Sequence, residues 1–523
     1  MSKYLSLPPK VSEANFDKAV AEFTKIVGKE NIYITAEEMA PYCKVMMATK
    51  IEDVMPSIAM APKGVDQIQA ILKVCNKYKV PVWSFSTGKN LGYGTASPAR
   101  KGTALLDLKR MDKILEVNTD LGYVLVEPGV TYQKLYDYFQ ENNIPYWLSF
   151  SAPSAIASPV GNTVDRGVGY TPYGEHFMFE CGMEVVLANG DILRTGMGGI
   201  ENSNSWQVFK WGYGPYLDGI FTQSNYGIVT KMGMWLMPKP PVYKPFAISF
   251  ENEADVPKII DTLRPLRLNN IIPNAFTCAS TSYEAASVAD RAKYHKGSGA
   301  ITDDELKALQ KEHNLGAWTV YAALYGDDVT VNHWWKIVQD TVKAAFGDSA
   351  KFYTEESPGM KEDPIFQYRA KLMRGEPNLQ EFALYNWRGG GGSMWFAPVC
   401  PAVGEHTIKQ QKMAKDILNK HGLDYVGEFI VGWRDMHHIV DVLYDRTDDE
   451  QRKHAKAAFS ELIQAFAKEG YGIYRTNVGA MDEVAATFGK VSQSVNHKLK
   501  AALDPNNILA PGKSGIDLNT WKN

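Results

Sequence analysis

Apolar residues at 65, 68, 71, 72 and 75 recur at helical spacing, which predicts a helix over Val65–Asn76. The run Pro81–Phe85 reads as a short strand, and Ser86-Thr87-Gly88-Lys89-Asn90-Leu91-Gly92-Tyr93-Gly94 reads as the loop that leaves it. Tyr123–Glu127 predicts a second strand, followed by Pro128-Gly129 and a helix from Thr131 to Gln140. Met183–Ala188, Asn189-Gly190 and Asp191–Thr195 together predict a hairpin, because an Asn-Gly pair takes the positive φ angles of a tight turn. Another strand is expected at Ile228–Met237.

Four prolines then fall within Pro238–Pro245, which predicts a stiff, extended connector and the best domain boundary in the chain. Beyond it, strand-like runs (Phe246–Phe250, Trp318–Tyr325, Met394–Pro398, Glu428–Trp433, His438–Tyr444) mix with helical ones near 254–266, 331–345, 405–420 and 448–468. That mixture predicts an α+β fold with helices packed on an antiparallel sheet. Asp504-Pro-Asn-Asn and Ala510-Pro-Gly-Lys-Ser-Gly are turn signals, so the end of the chain is expected to be ordered.

The chain has 523 residues, enough for two domains, with 45% apolar and 22% charged residues. A net charge of −3 gives no reason to expect nucleic acid or an anionic membrane surface as partner. No apolar run approaches the roughly 18 residues of a membrane span. Met1–Lys10 is too polar for a secretory core, so the cytoplasm is the expected location, with export alongside a signal-bearing partner left open. Cys43, Cys75, Cys181, Cys278 and Cys400 lie far apart, without metal or redox spacing. Without Cys-x-x-Cys-His the chain cannot attach a c-type haem by itself.

Several segments carry candidate chemistry. Gly389–Gly392 sits among Tyr385, Trp387 and Trp395, and is expected to let the backbone approach something flat or bulky. Ser86–Gly94 combines three glycines with Lys89, and its freed N–H groups suit a pyrophosphate. A second glycine-dense loop, Gly161-Asn162-Thr-Val-Asp165-Arg-Gly167 through His176, strengthens the case for a large polar cofactor. Neither Gly-x-Gly-x-x-Gly nor a P-loop is present, so any dinucleotide site is not of the Rossmann type. Tyr474-Arg475 with Tyr93 offers a phenol–guanidinium cluster. His437 and His438 lie on one strand and must point to opposite faces, with one of them buried.

Taken together these segments resemble the FAD-dependent, 4-phenol-oxidising family of vanillyl-alcohol oxidase, eugenol oxidase and p-cresol methylhydroxylase. The likeness rests on Ser86–Gly94, Pro159–His176, Phe221–Gly227, Arg434–His438, Tyr474–Thr476 and Ala510–Gly515, and runs through nearly the whole chain. Four positions place it nearest the methylhydroxylase branch. Ser393 stands where the oxidases that hold FAD through histidine have it, and Tyr385 stands where the methylhydroxylase attaches FAD through a tyrosyl oxygen. Pro153-Ser154 replaces the oxidases' Pro-Asp, and Glu428 matches the methylhydroxylase's glutamate on the facing strand. The departures are Lys513 in place of arginine and Gly432-Trp433 in place of a smaller pair, which is expected to reshape the substrate cavity or channel.

The resemblance implies a two-part FAD-binding domain, 1–241 with the returning tail 474–523, and a cap over 242–473. It implies FAD, covalent through Tyr385, held by Ser86, Thr87, Gly88, Lys89, Asn90, Gly92, Gly161, Asn162, Asp165, Gly167, Gly227 and Lys513. It implies a para-alkylphenol as substrate, with Tyr93, Tyr474 and Arg475 stabilising the phenolate. Hydride loss to the flavin would give a quinone methide, and Glu381, Glu428 and His437 would activate the water that adds to it. A second cycle would give the aldehyde. Electrons would go to a separate c-type cytochrome, on a homodimer of flavoprotein subunits. An oxidase making hydrogen peroxide, an enzyme acting on a 2-hydroxy acid and a flavin-free binding module remain as alternatives.

Overall fold

The computed structural model describes residues 3–151 and 155–519, and the Pro153-Ser154 pair lies outside them. Three large sheets and one two-stranded sheet organise the described residues. The first has four strands in the order Ile32–Tyr33, Ala59–Met60, Ala104–Asp107, Val82–Phe85, with its last two pairings parallel. The helices Glu13–Val27 and Val65–Tyr78 bury Phe16, Phe23, Ile68, Ile71 and Leu72 in one core beside it. The helix predicted at Val65–Asn76 is therefore present, two residues longer.

The second sheet is antiparallel and orders Ile114–Asn118, Tyr123–Val126, Gly227–Trp235, Glu180–Leu187 and Ile192–Arg194. Its last pairing is the predicted hairpin, and Gly190 has φ 91° in the turn. The helix expected after Pro128-Gly129 spans Tyr132–Glu141.

The third sheet has eight strands, drawn wholly from 242–444, and all its pairings are antiparallel. Its path is Ala350–Thr354, Val242–Phe250, Trp318–Gly326, Phe276–Ser280, Gly427–Val431, Asp435–Tyr444, Gly392–Phe396, and Val399–Pro401 also pairs with Asp435–Tyr444. The proline-rich connector is extended as predicted, but much of it is sheet. Met237–Pro238 pairs with Tyr146–Trp147, and Val242 already begins the large sheet. Pro245 faces Ala323 on one side, and pairing on the other side starts only at Phe246, so its missing N–H costs no ladder bond.

Alternation along these strands assigns the two faces. Ile248, Val320, Cys278, Phe429, Val431 and Val440 share one core with the helices Val256–Leu268, Asp328–Phe346, Gly404–Lys420 and Asp449–Lys468. Ala247, Tyr321, Ala279, Ile430 and Ile439 join a second core, shared with the five-stranded sheet. The cavity described below lies on this second face. The end of the chain returns across the molecule: Ala510 donates to Val82 and Val82 to Ile508, both at 2.7 Å, which extends the first sheet.

Candidate active site

A cavity with about 1900 Å³ of atom-free space, its mouth included, opens between the three sheets. One wall is the loop after strand Val82–Phe85, where Ser86, Thr87, Gly88, Lys89 and Asn90 all line it, Gly88 has φ 65° and Lys89 is exposed at the rim. Gly161 and Asn162, from the short helix Pro159–Val164, and Asp165, which caps it, line the adjoining wall. A methyl group on Gly161 would fall 2.2 Å from Ser86 Oγ, so the glycine is what lets the two loops touch. Gly227 lines the cavity as well. Gly92 and Gly167 stand behind the wall, making room for Trp395 and for the Asn162 amide respectively.

Asp165 joins the loops to the tail. It accepts from Lys513 Nζ at 2.7 Å and from Asn90 Nδ2 at 3.1 Å. Gln223, which the sequence reading did not single out, donates through Nε2 to the carbonyls of Tyr474 (2.7 Å) and Asp165 (3.2 Å). Asn225 does the same for Ala510 and Ile516, and so pins the returning tail.

The phenol–guanidinium cluster is assembled from distant segments. Arg475 Cζ lies 4.2 Å from the Tyr93 ring centroid and 5.5 Å from that of Tyr474, and all three residues line the cavity. Burial pushes the Tyr93 hydroxyl well above its ordinary pKa, against the pull of Arg475. Burial works against the Arg475 charge, but Tyr474, Tyr93 and Asp165 together outweigh it and hold the guanidinium above its usual value. Nε of Arg475 is buried and has no hydrogen-bond partner among the described residues.

At another part of the wall sit two buried carboxyls. Glu428, on strand Gly427–Val431, shares a face with Ile430 and accepts from Arg369 Nη2 at 2.7 Å. Burial raises its pKa, opposed by Arg369 and reinforced by Glu381. Glu381 accepts from the Tyr283 hydroxyl at 2.6 Å, while its Oε2 has no partner among the described residues. Arg369 and Tyr283 come from the helices Pro364–Met373 and Thr281–Val288, neither of which the sequence reading predicted. Asp363-Pro364 is a helix-start signal that would have found the first.

Tyr385 also lines the cavity, from a turn spanning Gln380–Asn386. Its ring stacks on Phe382 at 5.4 Å and meets the edge of Trp395 at 6.3 Å, and burial raises its hydroxyl pKa. Behind it Ser393 Oγ donates to the fully buried Asp441 at 2.7 Å.

Two expectations need correction. Gly389–Gly392 does not touch the cavity. Gly389, Gly390 and Gly391 have φ of 77°, 57° and 68°, and a methyl group on Gly390 would fall 1.8 Å from Asp445 Oδ1, so the run is a tight turn at a sheet edge. His437 lies on the cavity-side face of its strand, opposite Ile430, beside the main lining rather than in it. It stacks on Tyr474 at 4.5 Å, pairs with Asp435 at 3.4 Å, and borders a small neighbouring cavity with Glu175. Gly432 borders that same small cavity, and Trp433 packs on Arg267 at 4.2 Å, so neither shapes the main one. His438 does behave as expected: it faces the helices, accepts or donates with Tyr425 at 2.8 Å, and burial lowers its pKa to about 3.

Residues 56–196 match the FAD binding domain family, and residues 295–514 match the C-terminal domain of FAD-linked oxidases. The chain is 56% identical to the 4-cresol dehydrogenase [hydroxylating] flavoprotein subunit of Pseudomonas putida, over 98% of each chain. The chain belongs to the vanillyl-alcohol oxidase and p-cresol methylhydroxylase family. Its cofactor is FAD, and it is a flavoprotein oxidoreductase of the 4-cresol dehydrogenase (hydroxylating) kind. A structure of p-cresol methylhydroxylase with substrate bound superposes with TM-score 0.97 at 56% identity, covering 99% of this chain and all of that one (100%). A 4-ethylphenol oxidase from Gulosibacter chungangensis, as its isoeugenol complex, gives 0.95 at 38% identity, covering 98% and 99%.

The cavity fits such a group. A backbone-rich polar loop at Ser86–Asn90 suits phosphates, apolar Ile430, Ile439 and Leu384 suit a flat ring, and the unpartnered Arg475 Nε waits for an acceptor. No helix of the described residues is long and apolar enough to cross a membrane.

Proposed function

We propose that this family member oxidises para-alkylphenols and hydroxylates them at the benzylic carbon, passing the electrons to a c-type cytochrome. The observation that carries the reading is one cavity with Tyr93, Tyr474 and Arg475 gathered on one part of its wall and the buried Glu381 and Glu428 on another. A free phenol has a pKa near 10, so its anion lies roughly 4 kcal/mol uphill at pH 7. Arg475 and the two tyrosyl hydroxyls supply that difference as donors to the phenolate oxygen. The phenolate then pushes electrons toward the para carbon, and the benzylic hydride can leave. FAD, when bound, supplies the two-electron acceptor for that hydride. Water adds to the resulting quinone methide, and Glu428 and Glu381 are the carboxyls placed to take its proton.

Ser86–Asn90, Gly161, Asn162 and Asp165 would hold the cofactor, Lys513 would set positive charge beside it with Asp165 as its counter-ion, and Tyr385 would carry it covalently through the phenolic oxygen. The two-part division, 1–241 with 474–523 against 242–473, is supported by the large sheet being drawn from 242–444 alone and by the tail pairing with Val82.

The test is turnover of 4-cresol by the FAD-loaded protein, with the O-methylated analogue as control. Formation of 4-hydroxybenzyl alcohol, with reduction of a c-type cytochrome and no peroxide, is the expected result. Equal turnover of the O-methylated compound would remove the phenolate from the mechanism. Stoichiometric peroxide without added acceptor would make the enzyme an oxidase, the activity named for the 38% identical relative.

A further inference from the structure

Helices Thr281–Val288 and Pro364–Met373 lie on the cavity face of the large sheet and enclose a single buried cation, Arg369. The Arg369 guanidinium is 2% exposed and stands 5.1–5.5 Å from three tyrosine rings, those of Tyr283, Tyr321 and Tyr368. Nη2 holds Glu428, whereas Nε and Nη1 have no hydrogen-bond partner among the described residues, and neither does the Tyr368 hydroxyl. Behind Arg369 lies a further carboxyl, Glu284, 1% exposed, which accepts from Thr319 Oγ1 at 3.0 Å and from the Tyr321 hydroxyl.

Three buried carboxyls, Glu428, Glu381 and Glu284, thus share one cation. They cannot all be ionised in such a place, and burial holds Glu284 up to about 7. The groups facing Glu428 are Arg369 and Tyr368 from one helix, Tyr283 from the other, Glu381 from the turn and Tyr170 from its loop, while Glu284 reaches Arg369 from behind and Cys278 lies across the sheet. Arg369 is the sole positive charge among them. Stability alone does not account for it, since a well-packed apolar pair is often at least as stable as a buried ion pair.

We propose that Arg369 is a positioning residue that keeps Glu428 ionised and aimed into the cavity, so that Glu428 takes the proton of the water adding to the oxidised substrate. This rests on the para-alkylphenol reading above. Once hydride has left, the benzylic carbon of the quinone methide is electrophilic. The water oxygen forms the new C–O bond, one O–H bond breaks, and its proton passes to the Glu428 carboxylate. The ring oxygen recovers an electron pair as phenolate, so the step needs no further oxidant. A neutral Glu428 cannot take that proton, and the quinone methide then survives long enough to escape.

The experiment uses the FAD-loaded protein, 4-cresol and an added thiol that traps escaped quinone methide as a thioether. Arg369→Gln should raise the thioether-to-alcohol ratio by about tenfold or more at pH 7, equivalent to a shift of one pH unit in Glu428. Anaerobic bleaching of the flavin, which reads hydride loss, should change far less. The alcohol yield of the variant should recover as pH rises, because Glu428 without its cation ionises at higher pH. A residue that merely holds the fold would slow bleaching and yield together and leave ratio and pH profile unchanged, and that result overturns the proposal.

If Arg369→Gln does not fold, Glu428→Gln and the double variant Arg369→Met/Glu428→Gln decide the matter. Their ratios should agree, since Arg369 acts only through Glu428, and a further change in the double variant refutes it. Infrared spectra of the cofactor-free protein give a readout without turnover: Arg369→Gln should gain the C=O band of a protonated carboxylic acid, absent from Arg369→Gln/Glu428→Gln. If the wild type oxidises no para-alkylphenol, the parent reading fails, and the infrared band still tests the hold of Arg369 on Glu428.

Discussion

Replacing Arg475 by methionine removes the one cation beside Tyr93 and Tyr474 while keeping most of the side-chain volume. Arg475 lies 4.2 Å from the Tyr93 ring and has an unpartnered Nε, so no buried anion is orphaned by the change. The fold should therefore survive, which thermal unfolding checks. A unit charge about 4 Å from another is worth about 4 kcal/mol at an effective dielectric of 20. A charge-assisted hydrogen bond contributes about 1.5–3 kcal/mol net. Water entering the gap recovers part of the first figure, so a loss of about 2 kcal/mol is expected, which is about 1.5 pH units or about thirtyfold at pH 7. The assay titrates 4-nitrophenol bound to the FAD-loaded protein, because this para-substituted phenol has no benzylic hydrogen and its anion is coloured. In the wild type the bound phenol should ionise below its value in water. In Arg475→Met the midpoint should rise by about 1.5 units, and kcat/KM for 4-cresol should fall about thirtyfold at pH 7 and recover with increasing pH. Arg475→Lys should restore part of the shift but not the forked geometry. An unchanged midpoint for the bound phenol in Arg475→Met would falsify the assignment of the phenolate to this cluster, whatever the rate did.

Tyr385→Phe should fold and bind FAD yet release all of it on denaturation, read as loss of flavin fluorescence from the denatured polypeptide; the wild type should be assayed with the proposed c-type cytochrome partner present. Gly161→Ala places a methyl group 2.2 Å from Ser86 Oγ and should cost about 1–3 kcal/mol of overpacking, seen as weaker FAD binding and a lower melting temperature. His438 has its pKa lowered from 6.5 to about 3 by burial, so the unfolded chain binds the extra proton between those values. That contribution is fully present above pH 6.5 and is lost as pH falls toward 3, at up to about 1.4 kcal/mol per unit. The difference in urea stability between wild type and His438→Gln should carry that slope, and a flat difference would contradict it.

The local pattern carried much of the fold. Helical spacing placed Val65–Tyr78, the Asn-Gly pair placed the Glu180–Arg194 hairpin, and clustered prolines marked the crossing into the large sheet, because spacing, turn geometry and backbone restriction act within a few residues. The family likeness was legible for the same reason: its blocks are contiguous, and Ser86–Asn90, Gly161–Asp165 and Tyr474-Arg475 do share one cavity. Strand alternation also foretold that His437 and His438 would part. Which of them would face the cavity side depended on the register of Asp435–Tyr444 against Gly427–Val431, which pairs Ile430 with His437 and Glu428 with Ile439.

Other features lay beyond any local window. The glycine run was expected, from its aromatic neighbours, to let the backbone approach something flat or bulky, yet the clash it avoids is with Asp445, more than fifty positions along. Arg369, Tyr283 and Glu284 sit on helices that carry unremarkable residue types, and only the packing of both helices on one sheet face brings them to Glu428. The sequence by itself set most of the elements, the cofactor class and the adjacent Tyr474-Arg475 pair. Tertiary structure alone decided how many buried carboxyls share one cation, since burial and the distance between charges are properties of the packed chain and of no segment within it.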